Sequence, residues 1–243
     1  RPSSTIEFLN SITSKKEVIS LNDKNICSAC EYNKIKKTID WEKRHAELKN
    51  ICYQIKKNRK NTTDYDCVIP GSGGKDSAFT AHILKYKYGL NPLTVTWAPH
   101  LYTNIGWKNF ESWIHVGGFD NILFTPNGKL HRHLTRLAFL NLLHPFQPFI
   151  IGQKIIGPLI AKKFNIPHVF YGENQAEYGN NIKDNNNTKM EDKFFSTKTN
   201  IEDLYIGGEQ IKKIIKNSEF KIEDFKPYIP LHSNFIKENN IKV

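Results

Sequence analysis

Residues 71 to 77 read Gly-Ser-Gly-Gly-Lys-Asp-Ser, between the apolar run Tyr65-Asp66-Cys67-Val68-Ile69-Pro70 and the helix-like stretch Ala78-Phe79-Thr80-Ala81-His82-Ile83-Leu84. A strand, a glycine-rich turn and a helix in that order make a cradle for an anion. The glycines let the backbone approach without Cβ interference, and the first free N–H groups of the helix point at the bound charge along the positive end of the helix dipole. The pattern implies a nucleotide.

Spacing narrows which nucleotide chemistry. A Walker A loop needs a glycine, four residues and then Gly-Lys-Ser/Thr, with the hydroxyl on magnesium. Here Asp76 follows Lys75 and the glycines stand too close together, so hydrolysis of a γ-phosphate is not the natural reading. The dinucleotide fingerprint Gly-x-Gly-x-x-Gly cannot be laid over these residues either. The plain structural alternative is a glycine-rich turn whose helix is capped by Asp76 or Ser77.

A chain of 243 residues can bury one full core with a small appendage. Its 39% hydrophobic and 12% aromatic content describe a folded protein. No apolar run reaches the roughly 18 residues of a membrane helix. With no charged-then-apolar leader and four cysteines, the expected compartment is the reducing cytoplasm. The net charge of +11 invites a nucleic-acid reading, but only five of 35 basic residues are arginine, at positions 1, 44, 59, 132 and 136. Arginine is the residue of bidentate phosphate and base recognition, so its scarcity argues against nucleic acid. The basic run Lys56-Lys57-Asn58-Arg59-Lys60 reads as a solvated helix end.

The first sixty residues differ in character from the rest, which places an N-terminal segment at 1–60 and the main domain at 61–243. Ile6, Phe8, Leu9, Val18, Ile19 and Leu21 suggest short strands. Cys27-Ser28-Ala29-Cys30 is half of a tetrahedral zinc site, with Cys27 and Cys30 as ligands. Cys52, in the amphipathic segment 41–55, and Cys67, in the first strand, are poor partners for it. The chain opens at Arg1, so the other two ligands are expected upstream of the sequence shown. A redox role for the pair is disfavoured because no strand leads into it and no clear helix start follows.

From Tyr65 onward strands and helices alternate: strand 65–70, helix 77–88, strand 93–97, helix 107–115, strand 121–125, helix 129–143, helix 148–164 and strand 166–171. Such alternation predicts an α/β fold, a parallel sheet with helices on both faces. Ligands then lie beyond the carboxyl ends of the strands, at 71–77, 97–104, 126–132 and 172–178. The last of these opens Gly172-Glu173-Asn174-Gln175-Ala176-Glu177-Tyr178, where two carboxylates and an amide can hold magnesium or orient a nucleophile. Helix capping is the ordinary alternative for such residues. Trp97, His100, Tyr102, Asn104, Trp107, His144, Gln147, Gln153 and Lys154 form an aromatic and polar set suited to sugar stacking and hydroxyl recognition.

The run Ser72-Gly73-Gly74-Lys75-Asp76-Ser77 resembles the PP-loop of ATP pyrophosphatases, enzymes that adenylate a carbonyl oxygen and release pyrophosphate. Further stretches narrow the resemblance to the bacterial N-acetyl sugar amidotransferases of surface-glycan and lipopolysaccharide (O-antigen) biosynthesis. They are Ile26-Cys27-Ser28-Ala29-Cys30, Ile39-Asp40-Trp41, Thr94-Val95-Thr96-Trp97-Ala98-Pro99-His100 and Phe119-Asp120-Asn121, then Leu123-Phe124-Thr125-Pro126-Asn127-Gly128 and His144-Pro145-Phe146-Gln147-Pro148-Phe149. Gly152-Gln153-Lys154, Tyr171-Gly172-Glu173-Asn174 and Glu177-Tyr178-Gly179 complete the set. Family members carry an earlier Cys-x-x-Cys and continue well past a position like Val243, which implies a partial or truncated chain.

The resemblance implies that ATP adenylates the oxygen of an acetamido group and that ammonia then displaces AMP, leaving an acetamidino sugar. Ser72, Gly73, Gly74 and Ser77 hold the pyrophosphate end of ATP, with Lys75, Thr96 and Gly172 also at the nucleotide. Asp76 and Glu173 hold magnesium. Catalytic roles fall to Ser72, Lys75, Asp76, Glu173, Asn174 and Glu177, and substrate contacts to Trp97, His100, Gln147, Gln153, Lys154 and Tyr178. Ammonia comes from a separate glutaminase partner, since no cysteine nucleophile for glutamine hydrolysis stands out and Cys67 reads as an inert buried thiol. Two rivals stay open: a tRNA-modifying PP-loop enzyme, and a non-catalytic binding subunit.

Overall fold

A computed structural model describes residues 6–14, 21–61, 64–172 and 189–243. The centre is a parallel sheet of β1 (Cys67–Pro70), β2 (Pro92–Trp97) and β3 (Asp120–Phe124), in that order. All four β1 residues and all six of β2 are buried, as a sheet covered on both faces requires. The two threonines of β2 are buried but satisfied. Thr94 Oγ1 donates to the Asp120 carbonyl at 2.7 Å, and the Asn121 amide donates to Thr94 and Thr96 at 2.9 and 3.1 Å.

Alternating side chains send the strands' apolar residues to two separate cores. Cys67 and Ile69 face a cluster built with Cys52 and Ile55 of α2 (Trp41–Lys57), Ala81 of α3 (Lys75–His82), and Phe110 and Trp113 of α4 (Asn104–His115). Val68, Leu93, Val95 and Trp97 face a larger cluster. It includes Leu130 and Leu134 of α5 (Gly128–Leu142), Ile151 and Ile155 of α6 (Gln147–Phe164), and Phe225, Tyr228 and Leu231 from the C-terminal part. The α/β architecture with helices on both faces therefore matches the sequence reading.

Three details depart from it. The segment 166–171 meets β1 through a single parallel bridge, Val68 with Val169, held by Val68 N–H to His168 O at 2.8 Å and Phe170 N–H to Val68 O at 2.9 Å. Lys242 bridges His168 on the outer side. The helix expected to 88 ends as α3 and continues as a π turn over Ile83–Lys87. Glu7–Leu9 forms a 3-10 turn rather than a strand, and it carries Phe8 into the main core.

Residues before position 60 thus complete both cores. Gln147, expected to face substrate, is fully buried here and does the joining: its amide nitrogen donates to the Glu7 carbonyl at 2.8 Å and its oxygen accepts from Gly207 N–H at 3.0 Å. Arg59, expected in solvent, instead forks onto the buried carboxylate of Asp66, which also accepts from Asn91 N–H at 2.6 Å.

The remaining elements are α1 (Ser28–Lys36) near the N-terminus and, after residue 189, the short strands β4 (Ser196–Thr197), β5 (Tyr205–Ile206), β6 (Glu209–Gln210) and β7 (Leu231–His232) with α7 (Ile211–Lys216) and α8 (Ser233–Glu238). β5 and β6 form an antiparallel hairpin, while β4 pairs with β7. α6 lies close to the sheet because Gly152 sits under the Trp97 indole and Gly157 against Pro70 and Val169. Among the described residues no helix is long and apolar enough to cross a membrane.

Replacing Gln147 by Leu should strand the Glu7 carbonyl and the Gly207 amide in the core. The expected cost is about 2 kcal/mol, read as a lower urea midpoint at unchanged m-value. An unaltered midpoint would show that the strut carries no stability.

Candidate functional site

The strand order places β1 between β2 and the 166–171 segment, so the chain reverses its direction of travel across the sheet at β1. A crevice opens beyond the carboxyl ends of strands at such a reversal. Here it is a cleft of about 310 Å³. Pro70, Gly71, Ser72, Gly74, Lys75, Asp76 and Ser77 line one side, Tyr171 and Gly172 a second, and Val95 and Trp97 the strand ends. Ile150, Gln153, Lys154 and Ile156 of α6 close it, with Met190.

The loop is shaped for backbone donors. Gly71 N–H is tied to Val95 O at 2.9 Å, which fixes where the loop leaves the sheet. Gly73 turns the chain at φ +83°, a left-handed conformation that strains any residue with a Cβ. Gly74 is then the N-cap of α3, and no side chain caps the helix. The alternative of a cap by Asp76 or Ser77 is therefore corrected. Ser77 Oγ donates to the Gly74 carbonyl at 3.1 Å, and Asp76 Oδ1 pairs with Lys75 Nζ at 2.7 Å. The first N–H groups of a helix have no intrahelical acceptor, and α3 opens with Lys75, Asp76 and Ser77 at the cleft.

Gly172 presses the 166–171 segment onto this loop. A Cβ at Gly172 would lie 2.6 Å from the Asp76 carbonyl oxygen and 2.7 Å from Ser77 N. Tyr171 pins the same segment to α6, its hydroxyl reaching the carbonyls of Lys154 and Gln153 at 2.8 and 3.2 Å. The Lys154 ammonium lies 5.5 Å from the Phe194 ring centroid.

One cleft thus gathers Ser72, Gly74, Lys75, Asp76, Ser77, Trp97, Gln153, Lys154 and Gly172, with Gly73 setting the loop's turn. Trp97 is only 3% exposed and forms floor rather than a stacking platform. Other expected positions lie elsewhere. Thr96 is fully buried on the far face of β2, its hydroxyl taken by Asn121, so it does not reach a nucleotide in this arrangement. Gln147 is the core strut. His100 is exposed but not at the cleft, stacked on His131 with ring centroids 4.4 Å apart. Glu173, Asn174, Glu177 and Tyr178 lie outside the described residues.

Sequence reasoning missed the apolar wall of Val95, Ile150, Ile156, Tyr171 and Met190. Ile150, Gln153, Lys154 and Gly157 recur at helical spacing on α6, a signal that could have shown one face turned to the strand ends. Met190 arrives from a distant part of the chain and gave none. Behind Trp97 lies a second polar group the sequence did not flag as a unit. His131 Nδ1 and the Tyr228 hydroxyl are 2.6 Å apart, both buried. Burial, with His100 beside it, lowers His131 to about 4, and burial raises the Tyr228 phenol.

The cysteines separate into two kinds. Burial drives the Cys67 thiol well up and Cys52 to about 11, so both are inert. Cys27 is the N-cap of α1 and Cys30 lies in its first turn, hydrogen-bonded to Cys27, which raises the Cys30 thiol. A helix does start at the pair, and an antiparallel bridge from Leu21 to Cys27 precedes it, which corrects the premise used against a redox role. Two thiols supply half a zinc site, and among the described residues no three His, Cys, Asp or Glu side chains converge to hold a metal.

No family profile matches the chain. Over 84 residues it is 39% identical to an uncharacterized protein of Methanocaldococcus jannaschii. That stretch covers 34% of this chain and 29% of the relative, so the chain matches about a third of that protein's length.

His131 and His168 are both held near 4, His168 by burial and by Lys242, against 6.5 for an exposed imidazole. The unfolded chain therefore binds more protons than the folded one between about 6.5 and about 4. Stability present above pH 6.5 should be lost progressively as the pH falls through that window, with no further loss from these groups below it. Melting temperatures from pH 8 to 4 test this, and the His131→Gln variant should show a shallower decline. A melting curve flat between pH 7 and 5 would contradict the assignment.

Proposed function

We propose that the chain is an ATP-dependent, AMP-forming N-acetyl sugar amidotransferase. The acetamido oxygen attacks the α-phosphorus of ATP, the bond to the bridging oxygen breaks and pyrophosphate leaves. Ammonia then adds to the activated carbon, AMP departs with the former amide oxygen, and a proton is released. The amide is a poor electrophile until its oxygen is a leaving group, which is why the step needs ATP. The observation that carries the reading is the uncapped α3 N-terminus at the sheet's reversal point, held in place by Gly172.

The cleft residues fit ATP. The N–H groups of Lys75, Asp76 and Ser77, with the Ser72 and Ser77 hydroxyls, suit the pyrophosphate end, and the cradle beside Gly172 is one that a side chain would fill. Apolar Val95, Ile150, Ile156 and Met190 suit the less polar part of the nucleotide and keep water from the adenylate. Gln153 and Lys154 face the loop across the cleft, where a sugar hydroxyl or carbonyl can be oriented. Asp76 is the described carboxylate in reach of magnesium, whose charge would neutralise the departing pyrophosphate. The acetamido sugar, the glutaminase source of ammonia and the place in surface-glycan synthesis rest on the motif resemblance. Cys27 and Cys30 would supply two of four ligands to a structural zinc.

The protein, incubated with ATP, magnesium, ammonium and candidate acetamido sugars, should form AMP and pyrophosphate together with a sugar lighter by about 1 Da, the exchange of oxygen for NH. ADP and orthophosphate in their place would overturn the reaction class. Gly172→Val should displace the loop and weaken ATP binding at least about tenfold, while costing the fold no more than about 1–3 kcal/mol. Unchanged ATP affinity in that variant would remove Gly172 from the site.

A further inference from the structure

The outward face of α5 has no role in the nucleotide cleft. Its inward face is settled: Leu130, Leu134, Ala138 and Leu142 are buried, with α6 and the β5–β6 hairpin packed against the helix. At about 100° per residue, Lys129, Arg132, Arg136, Phe139, Leu140 and Leu143 fall within about 100° of arc on the opposite side, and all are exposed. They are also sorted along the axis. The cations occupy the first half of the helix and the large apolar side chains the last turn and its C-cap.

Nothing among the described residues accounts for either half. Helix α5 contains no acidic residue, and none of Lys129, Arg132 and Arg136 pairs with an acid among the described residues. Phe139, Leu140 and Leu143 are 55%, 59% and 81% exposed. Leu143 is held left-handed at φ +51°, an uncommon conformation for a bulky residue, and it presents its side chain at the tip of the turn. Contiguous exposed apolar groups beside unpaired cations mark an interaction surface.

We propose that this face of α5 docks on the surface of an anionic lipid bilayer. The cations are attracted to acidic headgroups, and the apolar side chains enter the boundary between headgroups and acyl chains. A second copy of the chain fits worse. A two-fold axis across the helix would set the arginines of one copy on the apolar end of the other, and one along the helix would oppose like charges. A nucleic acid would use the cations and leave Phe139, Leu140 and Leu143 in water.

Co-sedimentation of the whole protein with phosphatidylcholine vesicles, with and without phosphatidylglycerol, tests the assignment and needs no nucleotide. Binding is expected only with the anionic lipid and should fall with salt. Each cation near the surface is worth about fivefold, so the Arg132→Gln/Arg136→Gln pair should weaken binding about 30-fold. The triple variant Phe139→Ser/Leu140→Ser/Leu143→Ser should abolish it while leaving the melting temperature and circular dichroism intact, since these side chains are exposed. The proposal is overturned if the wild type ignores anionic vesicles at low salt, or if the triple variant binds as the wild type does. It is equally overturned by a dimer that the triple variant makes monomeric, or by RNA binding through the arginines without vesicle binding.

Discussion

An α-helix that begins without a side-chain cap lacks intrahelical acceptors for its first amide groups, and in this chain α3 begins so just beyond the carboxyl end of β1. Side chains cap α2 (Asp40), α4 (Thr103) and α5 (Asn127), whereas α1, α6 and α7, like α3, have no side-chain cap. At α3 the corresponding position is Gly74, and Asp76 and Ser77 direct their side chains to Lys75 and to the Gly74 carbonyl instead. Under the proposed function, the amides at the start of α3 receive an anion from outside the fold.

The surrounding packing keeps that arrangement from collapsing. Val95 of β2 anchors the loop at Gly71, and Gly172 meets the loop backbone from the neighbouring segment at a distance that excludes any side chain. α6 forms the opposite wall because its own glycines let it lie on Trp97 and on Pro70. Gln147, at the first turn of that helix, ties it to the N-terminal segment and to the hairpin at Gly207. Burial of apolar surface on both faces of a short sheet supplies the stability against which a helix end without a side-chain cap can be held.

Much of this was legible in the sequence for a physical reason. The strand–glycine–helix run around 71–77 is local, and local backbone requirements write themselves into residue type at fixed spacing. The alternation of strands and helices was readable in the same way. What could not be read were relations between distant segments: that Gln147 reaches Glu7 and Gly207 rather than a ligand, that Thr96 faces Asn121, or that Met190 joins Val95 in one wall. Polar side chains near strand ends look alike in sequence whether they serve the core or the cleft. Only the partner decides.

In the proposed function, the α3 N-terminus receives the phosphate chain of ATP. The most direct measurement is a titration of ¹⁵N-labelled protein with ATP, and separately with pyrophosphate, following backbone amide resonances. The largest shifts should fall on Ser72, Gly73, Gly74, Lys75, Asp76 and Ser77 with both ligands, and the amides of the capped helix α5 should not move. Shifts confined to other surfaces, or none in residues 72–77 at saturating ATP, would contradict it.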